Sequence, residues 1–129
     1  MNRMKNERRT TKDIGDFGER KAARFLMRRG YWIKDRNYRA GKYEIDLIAV
    51  SFRSILFVEV KTRSYRTEEL DSALPPSHAV DANKIRYTRS AAYQYLREHP
   101  TRKRPRMDVI EVWLVGNKVA KIHHIPGAY

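Results

Sequence analysis

The sequence contains no cysteine, so disulfide bonds and thiolate metal sites are excluded. No apolar run approaches the roughly 18 residues of a membrane-spanning helix. The basic start of the chain is not followed by the apolar stretch of a secretory signal. Acidic residues are also few: 15 Asp and Glu stand against 28 Lys and Arg, which gives a net charge of +13. These absences predict a cytoplasmic protein with no membrane partner.

The excess of basic residues favours a polyanionic partner, most simply nucleic acid. The cations are spread along the chain rather than gathered in one tail. No feature typical of 2′-hydroxyl recognition is visible, so the residues leave DNA and RNA as alternatives.

Apolar periodicity and turn residues predict an α/β chain of 129 residues, a length that suits one domain. Residues 1–12 are predicted as a flexible basic arm and residues 13–129 as a single domain. Within it we expect a helix at 13–29, capped by Asp13 and ended by Gly30, and strands at 31–38, 43–50 and 55–63. An irregular segment at 64–77, a helix at 80–98, a basic connector at 99–106, and strands at 107–115 and 118–125 follow.

Charged residues interrupt the two apolar runs of the segment KYEIDLIAVSFRSILFVEVKTRS. If these runs form an antiparallel hairpin around the break SFRS, Val50 faces Ile55 and Asp46 lies directly opposite Glu59. Opposed Cβ atoms are roughly 4.5–5.5 Å apart, and two carboxylates at ~5 Å repel by on the order of 3 kcal/mol at an effective dielectric constant of ~20. A divalent cation would remove this repulsion, and carboxylate oxygens suit Mg²⁺ or Mn²⁺. The pattern therefore predicts a metal site.

Two further residues are predicted to join this site. Lys61 follows Glu59 by two positions on the same strand face, where it could hold a water or stabilise charge on a phosphate. Glu19 is the one acid in a stripe of small and apolar residues on the first helix. A buried carboxylate is costly unless it is paired or metal-bound, so we expect Glu19 to point toward the site. The alternative is that the acids lie on solvated faces and that Lys61 pairs with one of them.

Four segments, GERKAARFLMRRGY, NYRAGKYEIDLIAV, FVEVKTRS and MDVIEVW, follow one another along the chain from about Gly15 onward. Together they resemble the bacterial YraN-like family of predicted endonucleases. An Asp followed about a dozen residues later by Glu-x-Lys is similar to the sites of PD-(D/E)XK nucleases. Archaeal Holliday-junction resolvases have a similar layout.

The resemblance implies a restriction-endonuclease-like α/β fold, a mixed central sheet flanked by helices in the order α-β-β-β-α-β-β. It also implies that Asp46 and Glu59 are metal ligands, that Lys61 is the catalytic lysine, and that Glu19 is the helix-borne acid of the site. Tyr43 stands where the family usually has glycine. Because Tyr43 should face away from Asp46 on its strand, we expect it to change packing rather than metal binding.

Basic and aromatic side chains near these strands are candidate nucleic-acid contacts. They comprise Arg36, Tyr38, Arg39, Arg63, Lys84, Arg102, Lys103 and Arg104. Each has a structural alternative: an exposed salt bridge for Arg63, edge-strand packing for Tyr38, a solvated position for Lys84, and a solvated turn for the run at 102–104.

The sequence thus predicts a Mg²⁺- or Mn²⁺-dependent endonuclease that acts on DNA. No separate recognition domain is recognisable, which favours branched or damaged DNA over a sequence motif. Cutting two strands with one small domain favours a homodimer. Two alternatives remain: a non-catalytic nucleic-acid-binding protein on a nuclease fold, and an adaptor whose basic surface meets an acidic protein.

Overall fold

One five-stranded sheet organises the chain, and its strands lie side by side in the order β1-β2-β3-β4-β5. The computed structural model describes residues 10–73 and 82–129. In chain order, the elements are α1 (Thr11–Arg28), β1 (Trp32–Ala40), β2 (Tyr43–Val50), β3 (Ser54–Tyr65), α2 (Thr67–Leu70), α3 (Ala82–Glu98), β4 (Arg104–Val115) and β5 (Lys118–Ile125). None of the described helices is long and apolar enough to cross a membrane.

The sheet is mixed. β3 and β4 run parallel over their whole length, from the pair Ser54–Arg104 to the pair Tyr65–Val115. The other three neighbouring pairs of strands run antiparallel. A parallel pair requires a crossover connection, and α3 lies in the connection between β3 and β4. The predicted α/β architecture, a mixed sheet with flanking helices, is confirmed.

The two long helices cover opposite faces of the sheet. On one face, α1 buries Ala22, Ala23 and Leu26 against a cluster that includes Leu56 and Val58 of β3. On the other face, α3 packs Ala91, Ala92 and Tyr95 against the sheet. The sheet residues of this cluster include Ile48 of β2 and Phe57 of β3. Small side chains at both contacts let the helices approach the sheet closely.

The helix α1 approaches β3 closely at Gly18. A Cβ atom at Gly18 would overlap Thr62 Oγ1 and would lie 2.9 Å from Thr62 Cβ. Only glycine therefore permits this contact. Because Gly18 directly precedes Glu19, the same contact fixes the height of Glu19 above the sheet.

Several element boundaries differ from the predictions. The helix α1 begins at Thr11, because Thr10 caps it: Thr10 Oγ1 accepts from the Asp13 N–H at 3.0 Å, and the Asp13 carboxylate accepts from the Thr10 N–H at 3.3 Å. The prediction of Asp13 as the cap was wrong, since Asp13 is the third helical residue of a capping box. Gly30, with a φ of 93°, directly follows the C-cap Arg29, as expected.

Other differences lie around β3 and β4. The short helix α2 occupies part of the predicted irregular segment, and β4 begins at Arg104, inside the predicted basic connector. Residues 1–9 of the predicted arm, 74–77 of the irregular segment and 80–81 of the second predicted helix lie outside the described residues.

The contact at Gly18 generates a prediction about stability. We expect Gly18→Ala to lower the free energy of unfolding by about 1–3 kcal/mol through overpacking against Thr62. Gly15→Ala, on the same helix with open space at its Cβ, should instead raise it by about 0.5–1 kcal/mol. Urea unfolding of the two variants measures both effects. Thr62→Ala should recover part of the loss in the Gly18→Ala background, and a loss of the same size with either residue at position 62 would contradict the contact.

Candidate active site

The site forms where β2 and β3 separate. The two strands pair from Val50–Ile55 to Leu47–Val58, which confirms the predicted register over that length. Beyond it, Asp46 Oδ2 accepts the Val60 N–H at 2.8 Å. A side chain thus satisfies the backbone of β3 at this point, and the Asp46 carboxylate is held beside that strand.

The neighbouring strand β1 is distorted at the same level. Its pairs Arg36–Leu47 and Tyr38–Ile45 flank the position opposite Asp46, which Asn37 occupies. Asn37 has a φ of 52°, in the left-handed region that few residues other than glycine adopt. Backbone strain of this kind is often concentrated at functional sites.

Within the described part of the chain, only one of the two carboxylate oxygens of Glu59 has a partner. Its side chain is 11% exposed, and its Oε2 forms an ion pair with Lys84 Nζ of α3 at 3.1 Å. Its other oxygen, Oε1, is buried and has no hydrogen-bond partner among the described residues. A buried carboxylate oxygen without a partner bears a desolvation cost, so it marks a position where a cation would stabilise the fold.

Electrostatic coupling joins Glu59 to Asp46 and Asp46 to Glu19. Burial raises the pKa of Asp46 to about 6; the charge of Glu59 adds to the rise, while the hydrogen bond from Val60 opposes it. Burial also raises the pKa of Glu19 to about 7, with the charge of Asp46 as the next contribution. The structure therefore places all three predicted acids in one electrostatic environment.

The acids do not form a ready-made metal cage. Within residues 10–73 and 82–129, no three His, Cys, Asp or Glu side chains are grouped closely enough to hold a metal ion. Asp46 and Glu59 nevertheless offer two carboxylates. Mg²⁺ is commonly held by one or two carboxylates, with waters and substrate phosphates completing its octahedron. The donor set therefore fits a Mg²⁺ ion that is completed by solvent and substrate.

A buried acid on β4 provides a structural contrast. Asp108 is fully buried and accepts hydrogen bonds from Arg106, His124 and the Gly127 N–H. Burial alone would raise the pKa of Asp108, but the bonds from His124 and Arg106 outweigh it and lower the pKa to about 2. The fold satisfies this carboxylate fully, whereas it leaves Glu59 Oε1 without a partner.

Lys61 lies on β3 between Glu59 and Arg63 and is half-buried. Its register partner on β4 is Glu111, a buried acid that sequence reasoning passed over. Glu111 Oε1 accepts from Arg63 Nε at 3.0 Å and from Trp113 Nε1 at 2.7 Å. Arg63 is thereby oriented by a buried carboxylate, next to the predicted catalytic lysine. The sequence signal that could have identified Glu111 is an acidic residue within the apolar run MDVIEVW.

Tyr129 also lies near the site, which no sequence pattern indicated. The Ala128 N–H donates to the Met107 carbonyl at 2.8 Å, which ties this end of the chain to β4. The Tyr129 hydroxyl is buried beside Thr88 of α3. Burial, and next the charge of Glu59, raise the pKa of Tyr129. The Tyr129 hydroxyl thus lies within electrostatic range of Glu59.

The predicted nucleic-acid contacts fall in different places. Around the site, Lys84 is paired with Glu59 and Arg39 with Glu44 at 3.3 Å. The Tyr38 hydroxyl donates to Glu98 at 2.8 Å, and its ring packs edge-to-face on Tyr95, so its environment is that of a packing residue. Arg36 is exposed on β1. The nucleic-acid role of these residues stays a prediction.

The basic run at 102–104 lies at the other end of β3, beside the β2–β3 turn. A further set of cations was missed: a groove along α1 is lined by Lys21, Arg24, Arg28 and Arg29. Lys21, Arg24 and Arg28 are spaced by three and four residues, a pattern visible in the sequence that puts them on one side of the helix. Tyr43 stacks on Tyr87 of α3 with ring centres 4.1 Å apart, as expected of a packing residue.

Comparison with known proteins places this fold in a family. The model of the uncharacterised protein family UPF0102 matches residues 18–112. The chain belongs to the UPF0102 family. A UPF0102 protein of Caldanaerobacter subterraneus subsp. tengcongensis is 38% identical over 92% of this chain and 95% of its own length. A UPF0102 protein of Syntrophotalea carbinolica is 41% identical over 90% of each chain. The matched segment contains Glu19, Asp46, Glu59 and Lys61, and the family description assigns no activity.

The raised pKa values of Asp46 and Glu19 generate a pH prediction for this UPF0102 chain. The folded state holds these protons more tightly than the unfolded state, so their contribution to stability is present below about pH 4 and is lost as pH rises to about 7. Asp46→Asn keeps an acceptor for the Val60 N–H and removes the charge. We expect the variant to be more stable than wild type at pH 8 by about 1–2 kcal/mol, with little difference at pH 4.

Urea unfolding in chelator at pH 4, 6 and 8 measures this difference. Glu68→Gln, at a side chain that is 71% exposed on α2, is the control and should follow wild type at each pH. If the free energies of unfolding of Asp46→Asn and wild type differ by the same amount at all three pH values, the raised pKa of Asp46 is refuted.

Proposed function

We propose that this protein is a Mg²⁺- or Mn²⁺-dependent nuclease that hydrolyses phosphodiester bonds in DNA. The observation that carries the proposal is the buried, unpartnered Glu59 Oε1, beside an Asp46 carboxylate whose pKa is raised to about 6 by burial and by the charge of Glu59. The fold keeps two mutually repelling carboxylates at one point, and Lys84, ion-paired with Glu59 Oε2 at 3.1 Å, compensates only part of their charge. A divalent cation resolves this conflict.

Each residue of the site has a role in this proposal. Asp46 and Glu59 would hold the cation, and Glu19 would act on it through a water. When bound, the cation would neutralise the acids and the phosphate charge that grows during hydrolysis. Lys61 would position the attacking water and offset charge on the phosphate. Lys84 would pass from Glu59 to a substrate phosphate once the cation neutralises Glu59.

The sequence pattern supports the same reaction. Asp46, followed by Glu59 and Lys61 on the next strand, resembles the site of PD-(D/E)XK nucleases, and the mixed sheet with a helix on each face suits that fold. The net charge of +13 would supply affinity for DNA that does not depend on sequence, through the release of counterions. In a homodimer, each of the two active sites would act on one of the two DNA strands.

A second candidate function is nucleic-acid binding without catalysis. Two observations favour it: Lys84 already pairs with Glu59 at 3.1 Å, and no group of three ligands is formed within the described residues. In this case the lysine is a permanent counter-ion and the acids are remnants of a site. The same cleavage experiment distinguishes the two candidates.

Cleavage by matched variants tests the proposal. Labelled duplex, flap and four-way-junction DNA would be incubated with Mg²⁺, with Mn²⁺ or with chelator. We expect cleavage that requires a metal, and losses of at least ~100-fold in Glu59→Gln and in Lys61→Met. The first variant removes a ligand of the cation, and the second removes a positive charge beside the phosphate. Glu68→Gln, which alters an exposed acid, should cut like wild type. Equal cutting by wild type and Glu59→Gln would indicate a contaminant, and DNA binding without cutting in either metal would favour the second candidate.

Metal binding is tested separately by thermal unfolding at pH 8. A ligand that binds only the folded state raises the melting temperature with its concentration. Mg²⁺ or Mn²⁺ should therefore raise the melting temperature of wild type and not that of Asp46→Asn. Equal responses of the two proteins to both metals would contradict a cation held by Asp46.

A further inference from the structure

The turn end of the sheet exposes two large aromatic side chains. Trp32, at the start of β1, is 78% exposed, and Phe52, in the β2–β3 turn, is 89% exposed. Both rings line one groove of about 350 Å³, together with Lys103. Its volume is within the range of ~300–1,000 Å³ typical of ligand sites. Two neighbouring exposed aromatic rings on so charged a chain indicate a binding surface.

A second, basic groove adjoins the first. Phe52 lines it together with four cations, Arg53, Arg102, Lys103 and Arg104. Phe52 and Lys103 belong to both grooves, so the aromatic and the basic parts are continuous. None of the described residues that line either groove is acidic.

Hydrogen bonds hold this surface in one arrangement. Lys103 Nζ donates to the Ser51 carbonyl at 2.6 Å and to the Phe52 carbonyl at 3.1 Å. The Arg104 N–H donates to the Arg53 carbonyl at 2.8 Å. The turn that carries Phe52 is therefore tied to the segment that carries the cations, and little conformational entropy remains to be lost on binding.

We propose that this surface, formed by Trp32, Phe52 and the cations at 53 and 102–104, binds a single-stranded segment of nucleic acid. Aromatic faces beside a basic groove match the alternation of bases and phosphates in an unpaired strand, and stacking on exposed rings requires that the bases be unpaired. A second copy of the chain would bring a net charge of +13 against the same cations. An acidic peptide would use the cations but would leave the two rings without stacking partners.

The surface indicates which class of DNA the proposed nuclease would cut, and this step rests on the proposed function. Glu59 follows Ser54, at the turn end of β3, by five residues. Five residues of strand span ~17 Å at ~3.3 Å each, which is about five steps of duplex at ~3.4 Å. The substrate would be DNA in which an unpaired strand adjoins a duplex, cut about five nucleotides from the junction.

Binding measured without metal tests this inference apart from catalysis. Fluorescence anisotropy in chelator would compare a labelled 20-nucleotide oligo(dT) with a 20-base-pair duplex. We expect the double variant Trp32→Ala/Phe52→Ala to lose at least ~10-fold in affinity for oligo(dT) and less than ~2-fold for duplex. Tyr93→Ala, which removes a 61% exposed ring from α3, is the matched control and should bind like wild type. Arg102→Ser/Arg104→Ser should reduce the salt dependence of oligo(dT) binding by ~1.4 in logarithmic slope.

Three results would overturn the inference. The first is that the variant Trp32→Ala/Phe52→Ala keeps its affinity for oligo(dT), or that it loses affinity for oligo(dT) and for duplex by the same factor. The second is competition by polyglutamate as effective as that by oligo(dT), which would indicate an acidic protein. The third is self-association by size exclusion that the double variant abolishes while oligo(dT) affinity stays unchanged. Cleavage distinguishes the two proposals: a nuclease with unaltered oligo(dT) binding refutes this surface alone, and ring-dependent binding without cleavage refutes the nuclease alone.

Discussion

The hydrogen bond from the Val60 N–H to Asp46 Oδ2 is the contact on which the site depends. It completes the backbone bonding of β3 at the point where β2 leaves it, and so permits the two strands to separate without an orphaned amide. The same bond fixes an acid beside Glu59. The close approach of α1 at Gly18 then brings Glu19 into the field of Asp46. One hydrogen bond thus satisfies the Val60 N–H and also holds the Asp46 carboxylate near Glu59, where the two charges repel.

Two kinds of buried acid coexist in this small fold. Asp108 is surrounded by donors, and its pKa falls to about 2. Asp46 and Glu19 have raised pKa values because burial and like charges outweigh the few contacts that favour ionisation. Structural ion pairs usually resemble the first kind, whereas catalytic and metal-binding carboxylates often resemble the second. The chain satisfies the Asp108 carboxylate fully, yet among the described residues it leaves one buried oxygen without a partner at Glu59 and another at Glu111.

Much of the fold could be predicted from alternation and turn residues, and the rest depended on contacts that no local pattern encodes. The register of β2 on β3 followed from a short break between two strands whose side chains alternate with a period of two. The start of β4 was missed because Pro105 is typical of a connector. β5 joins β4 only from Val109, so Pro105 has one strand neighbour and its missing N–H is tolerated. Lys84 and Tyr129 reach Glu59 through the placement of α3 and the chain end.

The distances along the chain give the site an uneven resistance to local unfolding. Asp46 and Glu59 are joined by a short hairpin with a small loop-closure entropy, whereas Lys84 reaches Glu59 only through the docking of α3 on the sheet. Helices that dock on a sheet open more readily than paired central strands. If α3 lifts away, the lysine leaves while the two carboxylates stay together. Detachment of α3 would therefore increase the negative charge at the point where β2 and β3 separate.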